Sequence, residues 1–174
     1  MLVATLLLAA SVQTDGSNPY ASQAGRSVKA LSADEIRALE AGEGMGLAKA
    51  AELNHYPGPR HVLELADALG LSQEQRVAVQ ASFERMQAAA RGLGSELVAR
   101  ERELDAAFAR ATIDVAGLER LALEIGTLQG RLRAVHLRAH LETRAVLSAP
   151  QVEHYDRLRG YGEGSDHDHH PTRD

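Results

Sequence analysis

Apolar residues recur at steps of three and four over two long stretches of the chain, a spacing that keeps them on one side of an α-helix. The first stretch opens at Ser72 and runs toward Arg110, with Val79, Phe83, Met86, Ala90, Leu93, Leu97, Leu104 and Phe108 as its seam. The second covers residues 113–147 and carries Leu118, Leu121, Ile125, Leu128, Leu132, Val135 and Ala139. Residues 111–114 form the natural turn between them, with Asp114 or Thr112 available as the next helix cap. Arms of roughly 35 residues rise about 1.5 Å per residue, so the hairpin should extend about 50 Å. The pattern therefore predicts an all-α, elongated antiparallel helical hairpin with short flanking helices. Its uncovered apolar edge calls for a partner, most simply a second copy.

The flanking elements are marked by caps and breakers. Leu31-Ser32-Ala33-Asp34-Glu35 is a capping box with a leucine staple onto Ile36, and it starts a helix that Gly42, Gly44 and Gly46 should break around Met45, before residues 47–53 resume it. Met45 reads as a packing residue. Pro57-Gly58-Pro59 forbids helix across itself, and residues 60–69 then place Val62, Leu65, Ala66 and Leu69 on one face until Gly70 ends the turn. Leu71-Ser72-Gln73-Glu74-Gln75 is a second capping box, opening the first long arm. Leu147-Ser148-Ala149-Pro150-Gln151 repeats it and starts a last short helix, where a first-turn proline is tolerated.

These signals divide the chain into residues 1–12, 13–30, 31–56, 57–161 and 162–174. The first is an apolar run with Ala9 and Ser11 placed like the residues of a signal-peptide cleavage site, which points to export. The run lacks the basic residues that normally precede an export signal and is far shorter than the roughly 20 residues of a spanning helix. Residues 13–30 read as a linker without fixed structure, residues 31–56 as a helical extension, and residues 57–161 as the hairpin domain. Residues 162–174 read as a disordered polar tail in which His167, Asp168, His169 and His170 suit weak metal capture.

Composition narrows the function. Only 3% of residues are aromatic, which fits a helical protein with a thin core. A net charge of −5, with cations interleaved among anions, supplies no basic field for nucleic acid. No cysteine is present, so disulfides, thiolate zinc sites and thiol nucleophiles are excluded. No Gly-x-Ser-x-Gly elbow or glycine-rich phosphate loop occurs. Glu52-x-x-His55 has the spacing of a di-iron helix, but no second copy accompanies it. Catalysis on a small-molecule substrate is not expected.

Histidine spacing carries the remaining chemistry. His136 and His140 lie one turn apart on the second arm, so their imidazoles can converge on one ion. With the turn near Thr112, they should stand at the height of Ala88 and Glu84 on the first arm. Chain reversal at Gly70 and Leu71 should return His61 and Glu64, three residues apart, to that same end, with His55 as a substitute for His61. His136, His140, His61 and Glu64 are thus the predicted ligands of one divalent ion, for which zinc, nickel, cobalt and copper all fit the donor types.

The two Leu-Ser-x-x-Gln segments at Leu71 and Leu147, flanking a long hairpin behind an apparent export signal, resemble the LTxxQ repeats of the Spy/CpxP-like periplasmic proteins. Serine replaces threonine in both copies, and the similarity covers residues 57–161. That family includes refolding chaperones and envelope-stress or heavy-metal sensors. The resemblance implies a hook- or cradle-shaped, usually dimeric protein without catalysis. Its metal sensors use a His-x-x-x-His arrangement with a carboxylate and, in some members, a methionine, which carries over to His136 and His140 with Glu64. Two functions follow: a metal-binding sensor-like protein acting on a membrane signalling partner, or a metal-independent holdase for unfolded envelope proteins, with Arg85, Arg91, Arg100, Arg131, Arg133 and Arg138 supplying cations beside apolar ridges.

Overall fold

The computed structural model describes Asn18 and residues 20–161. The apparent export signal and the tail from residue 162 lie outside the described residues. The architecture is all-α, with a short 3-10 turn at Ala21–Gln23 followed by six helices: α1 Ala33–Ala41, α2 Lys49–Glu52, α3 Pro59–Glu64, α4 Gln73–Ala109, α5 Val115–Val146 and α6 Ala149–Arg159. The antiparallel pair α4 and α5 is the frame, and α1 to α3 lie along it.

Each expected cap forms. Ser32, Ser72 and Ser148 accept from the amides of Glu35, Gln75 and Gln151, and each of those side chains returns to the cap amide. Asp114, rather than Thr112, caps α5 by accepting from Gly117. The glycines after α1 act as expected: Gly42 ends it in the left-handed conformation, and the interruption leaves only four helical residues in α2. Residues beyond Glu64 continue as turns to Gly70, so α3 is shorter than the predicted 60–69 helix.

The second and third capping boxes also bind each other. Gln75 donates through Nε2 to Gln151 Oε1 at 2.9 Å, and Gln151 donates through Nε2 to Gln75 Oε1 at 3.0 Å. The same amide nitrogens reach the carbonyls of Val146 and Leu69, at 3.0 and 3.3 Å. The repeated glutamine therefore joins the base of the hairpin to the chain reversal before α4, satisfying carbonyls that a helix end leaves open.

Two apolar clusters hold the frame. One gathers Leu39, Ala90, Leu93, Leu97, Ile125, Leu128 and Leu132. The other gathers Val62, Leu69, Leu71, Val79, Leu147, Val152 and Tyr155 at the open end. Val28, in the stretch expected to be a structureless linker, is fully buried in the first cluster. An apolar residue four before the α1 cap can reach this cluster, and Leu31 packs beside it. Gly94 makes the closest approach: a Cβ there would lie 2.1 Å from the Leu39 carbonyl oxygen, so α1 packs on α4 backbone to backbone. Gly126 and Gly130 face open space. The seams loosen toward the turn, where Phe108 and Leu118 are exposed.

Candidate metal centre

Between the two clusters the buried face of α5 changes character. From Leu132 to Leu147 its buried positions are His136, Ala139, His140 and Thr143, a mostly polar band where the seam pattern would continue apolar. Opposite this band lies a cavity of about 390 Å³ lined by His136, His140, His61, Glu52, Met45 and Met86, with Phe83 and Gln87 from α4. The expected register of the arms thus agrees with the neighbours found.

His140 is held from one side. Its Nδ1 lies 2.7 Å from the Tyr56 carbonyl oxygen. A carbonyl only accepts, so Nδ1 carries a hydrogen, and Nε2 is the nitrogen whose lone pair a neutral ring offers. Glu52 Oε2 lies 3.6 Å from the same Nδ1. Donation of one ring N–H to a carbonyl or carboxylate is the usual posture of a metal-ligating histidine, because it fixes the ring and leaves the other nitrogen basic.

His136 is 3% exposed, and its Nε2 is buried without a hydrogen-bond partner. Burial pushes its pKa down, and the neighbouring His140 pushes in the same direction. A neutral imidazole with an unsatisfied nitrogen is an expensive core residue, since buried polar atoms are almost always paired. The donor chemistry fits a divalent cation: two imidazoles one helical turn apart, that of His136 held toward its neutral form by burial and that of His140 oriented through Nδ1.

The remaining expected ligands separate. His61 lines the cavity, but its Nδ1 lies 3.0 Å from Glu64 Oε2 on the exposed side of α3. Hydrogen bonding from His61, with help from Arg60, holds the Glu64 carboxyl below its ordinary pKa. Glu64 does not line the cavity; it stays with these two neighbours because all three share one face of a single turn. Among the described residues no three His, Asp or Glu side chains stand together as a preformed ligand cluster. His136 and His140 are the core of the candidate site, and further ligands would have to come from side-chain movement or water.

Glu52 is the carboxylate that sequence reasoning missed. It is largely buried and accepts from the Gly58 amide at 3.1 Å and from the hydroxyls of Tyr155 and, at 3.3 Å, Tyr161, with Arg159 Nε at 3.7 Å. Burial raises the Tyr155 pKa, and Glu52 beside it raises it further, so that hydroxyl stays protonated and donates. The Glu52-x-x-His55 spacing drew attention to this residue for another chemistry; its contact with His140 spans 88 positions and has no local signal. Met45, expected to pack, is instead 45% exposed, with a positive φ of 44° between two glycines, and lines the cavity.

The model of the heavy-metal resistance family matches residues 45–153, a span that contains the cavity's principal residues. No curated protein and no solved structure matches the chain.

Proposed function

We propose that this chain, which belongs to the heavy-metal resistance family, binds a divalent heavy-metal ion through His136 and His140 and works as a sensor-like protein of the periplasm. The family includes Spy/CpxP-like helical periplasmic proteins and is not an enzyme family. The observation that carries the reading is the pair of buried imidazoles lining a cavity, His140 oriented through Nδ1 and His136 with its Nε2 unpartnered, in a band where an apolar core would be more stable. When bound, the ion would supply charge and coordination geometry only. The chain's part is to orient His140 through Tyr56 and Glu52, to keep His136 unprotonated, and to report occupancy through the helices packed around the cavity. Met45, Met86 and His61 line the same cavity, and thioether and imidazole donors suit the softer ions among zinc, nickel, cobalt and copper. X-ray absorption of the protein with one equivalent of nickel tests this directly. Imidazole scattering that disappears in His136→Ala/His140→Ala supports it; unchanged scattering opposes it.

A second reading rests on a separate observation. An open groove of about 710 Å³ runs between α4 and α5, with Met86, Leu93 and Val135 flanked by Arg85, Arg131 and Arg138. Apolar ridges beside guanidinium groups suit transient holding of an unfolded envelope protein, or pairing with a second copy of the chain. Suppression of aggregation of a denatured client, weakened by Arg131→Glu/Arg138→Glu, would support a holdase role. No suppression at stoichiometric excess would count against it.

A further inference from the structure

The segment joining α2 to α3, residues 53–58, crosses the imidazole of His140. Tyr56 supplies the carbonyl that takes the Nδ1 hydrogen, at 2.7 Å. Gly58 lies against the ring, so closely that a Cβ there would sit 2.9 Å from Cε1 and 3.1 Å from Nε2. The segment is rooted by the fully buried Pro57 and tied to α2 by the Gly58 amide on Glu52 and by Asn54 Nδ2 on the Ala50 carbonyl, at 2.8 Å. Its outer half has one long-range side-chain hold: His55 Nδ1 lies 2.8 Å from Asp156 Oδ2 on α6.

Both partners occupy costly states. His55 has a φ of 65°, a left-handed conformation uncommon outside glycine. Asp156 is 8% exposed, and its second oxygen, Oδ1, is buried with no hydrogen-bond partner. Neither feature serves the apolar clusters. Their contact accounts for both, because the left-handed turn at His55 aims its ring at α6 and Asp156 is the group that receives it.

We infer that His55 and Asp156 are positioning residues for His140: together they latch residues 53–58 across its ring, fix the Nδ1–H form that leaves Nε2 bare, and limit how fast an ion enters. Only the last clause rests on the metal-binding reading; the orientation of His140 stands without it. The latch also links the cavity to α6, whose Tyr155 bears on Glu52.

The full chain can be compared with three variants. His55→Gly deletes the donor while relieving the left-handed strain, which offsets part of the cost of leaving Asp156 unpaired. Asp156→Ala deletes the acceptor. His55→Asn tolerates left-handed φ and places an amide N–H near the position of Nδ1, so it should rescue. Imidazole nitrogen NMR of the metal-free protein should show a single Nδ1–H form of His140 in the parent and in His55→Asn, and a mixture of both forms in His55→Gly and Asp156→Ala. Stopped-flow association of nickel should be faster in the latter two by roughly tenfold, the scale of one lost charge-assisted hydrogen bond. An unchanged His140 nitrogen pattern in a folded His55→Gly would overturn the latch, whatever the nickel result. A changed pattern in a protein that takes up no nickel would support the latch and remove the metal-binding reading alone.

Discussion

His136 sets a conflict between stability and function at a single side chain. Its buried, unpaired Nε2 carries a desolvation cost on the order of 1–3 kcal/mol, which an apolar residue of similar volume would not have. His136→Leu should therefore raise the unfolding free energy of the metal-free protein by about 1 kcal/mol or more while removing metal binding; lower stability would contradict this. The pH dependence has a definite sign. In the unfolded chain this imidazole protonates near pH 6.5, whereas the folded pKa is lower. Between those values the unfolded chain binds the extra proton, so the contribution of His136 is fully present above about pH 6.5 and stability is lost as pH falls through that window. Chemical denaturation at pH 7 and pH 5 should show a smaller loss in His136→Leu than in the parent. The His136 and His140 spacing was readable because two ligands on one turn have a period. Glu52, Tyr56 and Gly58 were not, because they meet His140 only through tertiary folding.

Helix starts were the most legible elements, since a capping box is a local contract between residues three apart. The pairing of Gln75 with Gln151 was not legible as a contact, although the repeat itself was, because a capping side chain has spare hydrogen-bonding capacity that only the fold assigns. A double-mutant cycle with Gln75→Ala and Gln151→Ala should return a coupling energy of about 1–2 kcal/mol, within the range for shared hydrogen-bond networks; additive losses would deny the cross-link. Glycines illustrate the same division. Gly126 and Gly94 look alike in sequence as helix-interior glycines, yet one faces open space and the other the Leu39 carbonyl. Gly126→Ala should stabilise by about 0.5–1 kcal/mol, and Gly94→Ala should destabilise by about 1–3 kcal/mol through displacement of α1. Thermal or urea denaturation reads both, and equal effects would contradict this packing. The burial of Val28 before α1 was not legible for a related reason: it depends on tertiary packing against the hairpin and stands in a polar stretch.

At the scale of the whole molecule, α4 of 37 residues spans about 55 Å; one apolar cluster packs on Val79 near its start and the other on its middle, from Ala90 to Val98, with the polar band of α5 between them. That placement lets one ion touch the frame helix α5 while the small helices α2 and α3 and the segment joining them close over it. No described helix is long and apolar enough to cross a membrane. The groove between the arms is open, and dimerisation through it would alter sedimentation. The central claim is that His136 and His140 bind a metal ion, and the most direct measurement is calorimetric titration of the full chain with nickel and with zinc, in the parent and in His136→Ala/His140→Ala. The tail histidines are common to both proteins, so any difference belongs to the cavity. The account predicts one tight ion per chain in the parent and its loss in the double variant. The same stoichiometry and affinity in both proteins would contradict it.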